Sequence, residues 1–291
     1  MSFNVETIKN YMVLTRIGNS VFATFSVFLA GILSEDLSGH VIEYMLAASV
    51  AIFLFMGSFA INDYYDRFAD RLNGKMARPL VHGNLSEKKA LQAGLLFLAI
   101  SLLLSVPLGP VILIFIGLNI VVSLLYSMRL KKIFLLKNIS IAYCFMATIL
   151  FGSIISDVEI EPLAGYYMLM AFLVGLGYEI MIDIPDMEGD RACGISTLAC
   201  CVSPRFAAAV SSAIYVVVFL LDPLPFFVQI HPALFYDLLF LVLILPVSLM
   251  YIFISRSLLN NPSRENTLGI RSRTLAVMQV GSVAYLVGFI M

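Results

Sequence analysis

The 291-residue chain has no tryptophan, only three histidines and four cysteines, and few charged residues. Charged residues make up 13% of the sequence, well below the roughly 25% of a soluble domain. The histidines lie far apart and the cysteines form no C-x-x-C pair, which argues against a zinc or redox site. A net charge of −1 argues against nucleic acid as a partner. Because 60% of the residues are hydrophobic, the composition predicts an integral membrane protein.

Nine apolar stretches are long enough to cross the hydrocarbon core of a bilayer. Segments rich in acids and turn formers, such as "SEDLSGH" and "SDVEIEP", separate several of them. The sequence therefore predicts an all-α integral membrane protein, with nine transmembrane helices in a bundle around a central cavity. The predicted spans are residues 17–33, 41–62, 90–106, 109–127, 134–153, 163–181, 206–221, 233–254 and 272–290.

The charged residues orient these spans. With nine spans, all 18 Lys and Arg fall on the side of the N-terminus. The opposite loops carry acids, among them Asp36, Asp157 and Asp222. The positive-inside rule then predicts a cytoplasmic N-terminus and a C-terminus outside the cell membrane. One missed helix would break this segregation, so the segregation supports the count of nine.

A first acidic cluster follows the second span, in "FAINDYYDRFADRLNGKMARP". It contains Asn62, Asp63, Asp66 and Asp70. Asn62, Asp66 and Asp70 are four residues apart, so they share one face if the helix continues past the predicted end of the span. The common explanation of such a cluster is a solvated helix end, and the alternative is a site for a cation.

A second cluster, "GYEIMIDIPDMEGDRACGISTL", follows the sixth span and faces the same compartment. Asp186 and Asp190 repeat the four-residue spacing, with Asp183 about one turn earlier. We expect Pro185 near a helix start or a kink and not deep in a regular helix. Carboxylates this close repel one another unless cations neutralise them, and all-oxygen ligands suit Mg²⁺ shared with substrate phosphates. The two clusters together predict a site for Mg²⁺ and a diphosphate.

Basic and hydroxyl side chains lie in nearby loops on the same side. Arg78 follows the first cluster, and "LLYSMRLKK" ends the fourth span with Tyr126, Ser127 and Lys131. Cations there either neutralise a metal-bound diphosphate or anchor the helix end at the lipid surface. The two explanations are balanced for Lys131 and its neighbour Lys132, whereas for Lys137, Lys88 and Lys89 we favour the anchor. Arg16, with Asn19 one turn later, stands at the inner rim of the first span and permits either role.

Together these motifs resemble the UbiA superfamily of intramembrane prenyltransferases. Just before the second family motif, many members carry R-E-x-x-K-D where this chain has "YEIMID", with Tyr178 and Ile182 in place of the basic residues. The matches are N-x-x-x-D-x-x-x-D at Asn62, Asp66 and Asp70, N-x-x-x-x-R-P at Asn73, Arg78 and Pro79, Y-S-x-x-L-K at Tyr126, Ser127, Leu130 and Lys131, and D-x-x-x-D with G-I-x-T-L at Asp186, Asp190 and residues 194–198.

The resemblance implies one UbiA-type domain over 1–291 that transfers an isoprenyl group, such as geranylgeranyl, from its diphosphate to a lipophilic acceptor. It also implies Mg²⁺ as cofactor, membrane lipids as surroundings, an active site toward the cytoplasm and a tunnel for the tail. The implied metal-site residues are Asn62, Asp63, Asp66, Asp70, Asp186 and Asp190. The implied diphosphate-binding residues are Arg16, Asn19, Arg78, Tyr126, Ser127 and Lys131. The implied catalytic residues are Asp66, Asp70, Asp183 and Asp190, with Asp70 or Asp183 taking the proton of the acceptor.

Two questions stay open at this point. The acceptor is either an aromatic quinone precursor or a glyceryl ether lipid phosphate. A cation-coupled transporter is the alternative from another functional class, because it too would use two acidic clusters. Transporters place such carboxylates near the bilayer midplane, whereas both clusters here lie at one membrane face, which favours the enzyme.

Overall fold

The protein's structure, a computed structural model, describes residues 5–291 except the side chain of Phe22, and its regular elements in that range are all helices. Three short 3₁₀ turns, at Leu37–Gly39, Val106–Leu108 and Leu130–Lys132, connect some of them. The α-helices are α1 Val5–Leu14, α2 Ile17–Leu33, α3 Val41–Leu72, α4 Pro79–His82, α5 Glu87–Ser105, α6 Pro110–Met128, α7 Leu136–Ser153, α8 Pro162–Ala192, α9 Leu198–Cys201, α10 Pro204–Leu221, α11 Leu224–Phe227, α12 Leu238–Asn260 and α13 Arg264–Ile290.

Within residues 5–291, eight helices are long and apolar enough to cross a membrane. A ninth span results if α1 and α2, which are bent by 55° at a short break, are taken together. Arg16 lies at this break with a left-handed backbone (φ 45°), a conformation that ends a helix. The predicted all-helical membrane fold is confirmed, and α1 is a helix in a segment where the sequence indicated only a polar lead.

The two acidic clusters lie on helices and not in loops. α3 continues to Leu72 and α8 to Ala192, so both extend about ten residues past their predicted ends. Pro185 is buried inside α8 and does not lie near a helix start, so that part of the expectation was wrong. A proline removes one backbone hydrogen bond of a helix. Here α8 is the most buried of the eight membrane-crossing helices, and its packing maintains the helical path.

α8 packs against α7, α10 and α13, and α3 packs against α2 and α5. Small residues allow these helices to approach closely. A Cβ atom added at Gly57 of α3 would lie 2.9 Å from the backbone oxygen of Gly94 in α5. Such contacts are typical of helix pairs in membranes, where apolar side chains gain little by leaving lipid.

Loops that the sequence predicts to share a side of the membrane contact one another. Asp36, after α2, accepts a hydrogen bond from Ser156, after α7. Its neighbour Glu35 lies 3.3 Å from the imidazole of His231, between α11 and α12. At the opposite end, Arg264 of α13 donates to the backbone oxygen of Asn73 after α3, at 2.6 Å. The acidic clusters lie at this second end of the bundle.

Candidate active site

A cavity of about 1020 Å³ runs through the bundle. At one end its wall contains both acidic clusters, and farther in it contains Phe115, Phe151, Tyr167 and other apolar or aromatic side chains. Asp190 and Tyr167 both line it, and on α8 they are roughly 34 Å apart at a helical rise of 1.5 Å per residue. The cavity is therefore long enough for an isoprenoid tail.

The first cluster divides into two groups by the face of α3 that each residue occupies. Asn62, Asp66 and Asp70 line the cavity, as their spacing predicts. Asp63 is buried on the adjoining face and is not part of the cavity wall. Its carboxylate accepts hydrogen bonds from Arg16 at 2.8 Å and from Arg78 at 2.5 Å. Asp63 thus holds two arginines that line the cavity.

Cationic side chains connect the acids to one another. Arg78 donates from Nη1 to Asp70 at 2.5 Å as well as to Asp63. Lys75 lies 2.6 Å from a carboxylate oxygen of Asp186 and 3.4 Å from one of Asp70, so it links the two clusters. These pairs keep the carboxylates close together in spite of their like charge.

Lys131, for which the sequence left two roles open, is buried and donates to Asp66. Lys132, next to it, is exposed, as a lipid anchor would be. The neighbouring Tyr126 and Ser127 line the cavity too, and so does Asn19 on α2. All six residues implied for diphosphate binding therefore belong to one wall.

Lys137 corrects the sequence-based assignment, which made it a lipid anchor. It is only 9% exposed, and its ammonium lies between Asp183, at 2.6 Å, and Asp190, at 2.9 Å. The side-chain nitrogen of Asn138 donates to the second oxygen of Asp183 at 2.7 Å. The turn before α7, where Leu135 has φ 61°, directs this first turn of the helix inward. The sequence signal that could have revealed this inward orientation is the pair of consecutive polar residues, Lys137 and Asn138, at the start of an apolar span.

Three further cavity-lining residues carry charges to which the sequence assigned no role. Glu179 is buried on α8, and no cationic nitrogen of residues 5–291 lies within ion-pair distance of its carboxylate. Arg264 and Arg271 come from α13, which contains none of the recognised motifs. Sequence spacing offers no signal for them, because only the tertiary fold brings α13 to this wall.

The site lacks a preformed cage for a metal ion but has suitable donors. In the described range, no three His, Cys, Asp or Glu side chains converge closely enough to hold one ion. The reason is that Asp66, Asp70, Asp186 and Asp190 are each paired with a cationic side chain. Mg²⁺ commonly takes one or two carboxylates and completes its shell with water and substrate phosphates. The buried Oδ1 of Asn62, which has no hydrogen-bond partner in the described structure, adds a free oxygen ligand, so the residues fit Mg²⁺ that binds with a phosphorylated substrate.

A helical membrane bundle with a polar network at one end of a long apolar cavity defines a class of protein that binds an anionic head group carrying a lipid tail. The model of the UbiA prenyltransferase family matches residues 20–268. The digeranylgeranylglyceryl phosphate synthase of Archaeoglobus fulgidus is 30% identical over 289 residues, which cover 98% of each chain. The chain belongs to the UbiA prenyltransferase family, and it is a multi-pass membrane prenyltransferase.

Solved structures share this fold. One, from a study of digeranylgeranylglyceryl phosphate synthase in membranes, superposes with a TM-score of 0.74 and 25% identity, covering 97% of this chain and 98% of the other. Another, a UbiA homologue from Archaeoglobus fulgidus bound to DMAPP and Mg²⁺, has a TM-score of 0.68 and 21% identity, covering 96% and 99%. The resemblance inferred from the motifs is confirmed. Of the two functional classes that the sequence left open, the chain belongs to the prenyltransferases and not to the cation-coupled transporters.

Proposed function

We propose that residues 1–291 form one prenyltransferase domain that transfers a geranylgeranyl group from its diphosphate to a glyceryl ether lipid phosphate. The observation that carries the proposal is the long cavity whose polar end contains both acidic motifs and their cations. Of the two acceptors that the sequence left open, the lipid phosphate is supported by the similar synthases, which are named for a digeranylgeranylglyceryl phosphate product.

The metal-binding role falls to oxygens on both motifs. Asn62, Asp66, Asp70, Asp186 and Asp190 would hold the ion, because their side chains line the polar end of the cavity. A homologous structure that contains DMAPP and Mg²⁺ supports the choice of Mg²⁺. When bound, the ion neutralises the diphosphate and stabilises the charge that develops as it leaves. The sequence also implied Asp63 as a ligand, but its two arginine partners favour a role in holding the basic side chains in place.

Basic side chains that pair with the acids of the first motif bind the diphosphate. Arg78 and Lys131 donate to carboxylates in the structure described, and they have further N–H donors for phosphate oxygens. The hydroxyl groups of Tyr126 and Ser127 add two donors, and the buried Oγ of Ser127 has no hydrogen-bond partner in the described part of the chain. Arg16 and Asn19 complete this group from α2.

The reaction is a substitution at the allylic C1 carbon of the donor. The C1–O bond breaks and the diphosphate leaves with the electron pair, while the acceptor hydroxyl oxygen bonds to C1. Asp70 or Asp183 takes the hydroxyl proton, and the structure gives each of them at least one cationic partner that positions it. Phe55 and Phe145 line the cavity and would stabilise positive charge at C1 through their ring faces while excluding water.

We also propose that the polar end of the cavity faces the cytoplasm. The support is the distribution of charge, because all 18 Lys and Arg fall on the predicted cytoplasmic side of the nine spans. In this orientation, the N-terminus is cytoplasmic and the C-terminus lies outside the cell membrane.

The test uses purified protein in proteoliposomes with Mg²⁺ and geranylgeranyl diphosphate. Three acceptors are compared: geranylgeranylglyceryl phosphate, its dephosphorylated form and 4-hydroxybenzoate. We expect prenylated product and diphosphate release with the lipid phosphate. The rate of product formation should fall at least about 100-fold in Asp66→Asn, because this carboxylate acts in both binding and charge stabilisation. The matched control is Glu188→Gln, since Glu188 is exposed between Asp186 and Asp190 on α8. Prenylation of 4-hydroxybenzoate alone would refute the proposed acceptor.

A further inference from the structure

The cations of the cavity differ in whether a carboxylate neutralises them. Two arginines of α13, Arg264 and Arg271, have no carboxylate within 4.0 Å anywhere in the described structure. The other cationic side chains of the wall all form ion pairs: Arg16, Lys75, Arg78, Lys131 and Lys137. The wall therefore has two kinds of cation, and the unpaired kind comes from a single helix.

Arg264 and Arg271 lie on the same face of α13. They are seven residues apart, which is about two turns and roughly 10 Å along the axis. Both side chains are solvent-exposed as well as lining the cavity, so they stand at its opening. Two flexible side chains at this spacing are able to converge on one group between them.

Each arginine is held by a neutral partner. Arg271 donates from Nε to the hydroxyl oxygen of Tyr178 at 3.1 Å. Arg264 donates from Nη2 to the backbone oxygen of Asn73 at 2.6 Å. A guanidinium has five N–H donors, so both keep several free for a ligand. Because neither hydrogen-bond partner carries charge, no direct ion pair neutralises either arginine, although Asp186 and Glu179 lie near enough to Arg271 to interact with its charge.

A phosphate monoester is the group that such a pair suits best. It carries a charge of about −1.5 to −2 at neutral pH and has three acceptor oxygens. Arginine matches these oxygens with parallel N–H donors. The diphosphate of the donor is assigned to the paired cations and acids of the two motifs, so the α13 arginines are left for a second anion.

We propose that Arg264 and Arg271 form a second anion site, which binds the phosphate of the lipid acceptor at the opening of the cavity. The inference rests on the proposed function, because only a phosphorylated acceptor brings this second anion. When the phosphate binds at the opening, the tail of the acceptor is able to remain in the bilayer or near the mouth of the cavity. The hydroxyl group of the acceptor then approaches the allylic carbon. The site thereby distinguishes phosphorylated acceptors from neutral ones.

The experiment measures binding and turnover separately in wild-type protein and in four variants. The variants are Arg271→Gln, Arg271→Lys, the double variant Arg264→Gln/Arg271→Gln, and the control Arg273→Gln, which removes an exposed charge from the same helix outside the cavity wall. Calorimetric titrations at fixed ionic strength use geranylgeranylglyceryl phosphate, its dephosphorylated form, inorganic phosphate and geranylgeranyl diphosphate. Steady-state assays give KM for the lipid acceptor and for the diphosphate.

We expect Arg271→Gln to weaken binding of the lipid phosphate about tenfold and to raise the KM for this acceptor by the same factor. In the double variant both effects should reach about 100-fold, because the charge-assisted hydrogen bonds of both arginines are lost. Arg271→Lys should recover part of the loss. Binding of the dephosphorylated lipid and of geranylgeranyl diphosphate should change less than about twofold, and Arg273→Gln should match wild type. Competition by inorganic phosphate, lost in the double variant, would identify the phosphate itself as the recognised group.

The failures of the two proposals are distinguishable. If wild-type protein neither binds nor prenylates the lipid phosphate, the proposed function fails and the second anion site fails with it. If wild-type protein uses the lipid phosphate but the arginine variants bind it unchanged, only the second site is refuted. A parallel loss of diphosphate binding in Arg271→Gln would also refute it, because the arginine would then serve the first anion.

Discussion

The side-chain oxygen of Asn73 accepts a hydrogen bond from the backbone N–H of Gly189 at 2.8 Å. Asn73 caps the C-terminal end of α3, and Gly189 lies in α8 between Asp186 and Asp190, so this bond joins the helices that carry the two acidic motifs. The helices are also in close contact here. A Cβ atom added at Gly189 would lie 2.6 Å from the backbone oxygen of Ala69. The spacing between the two halves of the site thus depends on a glycine at this position.

We predict that Gly189→Ala moves the two motifs apart. The added methyl group would lie within 2.6 Å of the backbone oxygen of Ala69 and of the side-chain amide of Asn73, and overpacking of this kind typically costs about 1–3 kcal/mol. Displacement by about 1 Å should lower kcat by up to about 100-fold. Thermal unfolding and steady-state kinetics in detergent measure both effects. The matched control is Gly269→Ala, which has no atom within 4 Å of the added Cβ and should keep wild-type kinetics. Wild-type activity in Gly189→Ala would show that this contact does not set the spacing.

The sequence predicted the class of fold and most of the residues that line the polar end of the cavity, because those features depend on local pattern. Apolar length and the positions of Lys and Arg predict the spans, and the four-residue spacing places Asp66 and Asp70 on one helix face. It did not predict that α3 and α8 continue into the motifs, since the burial and ion pairing of acids that stabilise those turns arise only in the folded bundle. Arg271 was missed for the same reason.

Lys137 is the residue for which sequence and structure disagree most, and its removal is a direct test. We predict that Lys137→Met leaves Asp183 and Asp190 buried without their cation and destabilises the protein by about 3–5 kcal/mol. Adding Asp183→Asn to this variant should recover part of the stability by removing one uncompensated charge. The measurement is denaturant or thermal unfolding of the purified variants.

The matched control for Lys137 is the exposed Lys132, five residues earlier. Lys132→Met should change the stability by less than about 0.5 kcal/mol, as is usual for surface positions. If both substitutions had equally small effects, Lys137 would be a lipid anchor after all. If Lys137→Met and Lys137→Met/Asp183→Asn lost the same free energy of unfolding, Lys137 would not be compensating the charge on Asp183.

Magnesium dependence should follow the cavity-lining carboxylates. We expect chelation of divalent ions to abolish turnover. Without Mg²⁺, the negative charge that develops on the departing diphosphate is not neutralised, and the C1–O bond does not break at a useful rate. Asp66→Asn and Asp190→Asn should raise the Mg²⁺ concentration that gives half-maximal binding of geranylgeranyl diphosphate by about tenfold or more, whereas Glu188→Gln should leave it unchanged. Titration of diphosphate binding against Mg²⁺ measures this without turnover. An unchanged Mg²⁺ requirement in both Asp variants would contradict the assignment of these ligands.

The proposed orientation predicts which side of the membrane each exposed loop can be labelled from. In a variant without Cys144, Cys193, Cys200 and Cys201, a single cysteine is introduced at Asp157 or at Glu188, both of which are exposed. With intact cells and a membrane-impermeant maleimide, the cysteine at 157 should react at once, because this loop carries acids and no Lys or Arg. The cysteine at 188 should react only after permeabilisation, which also serves as the control for its accessibility. Labelling at 188 in intact cells with protection at 157 would reverse the orientation and place the active site on the outer face.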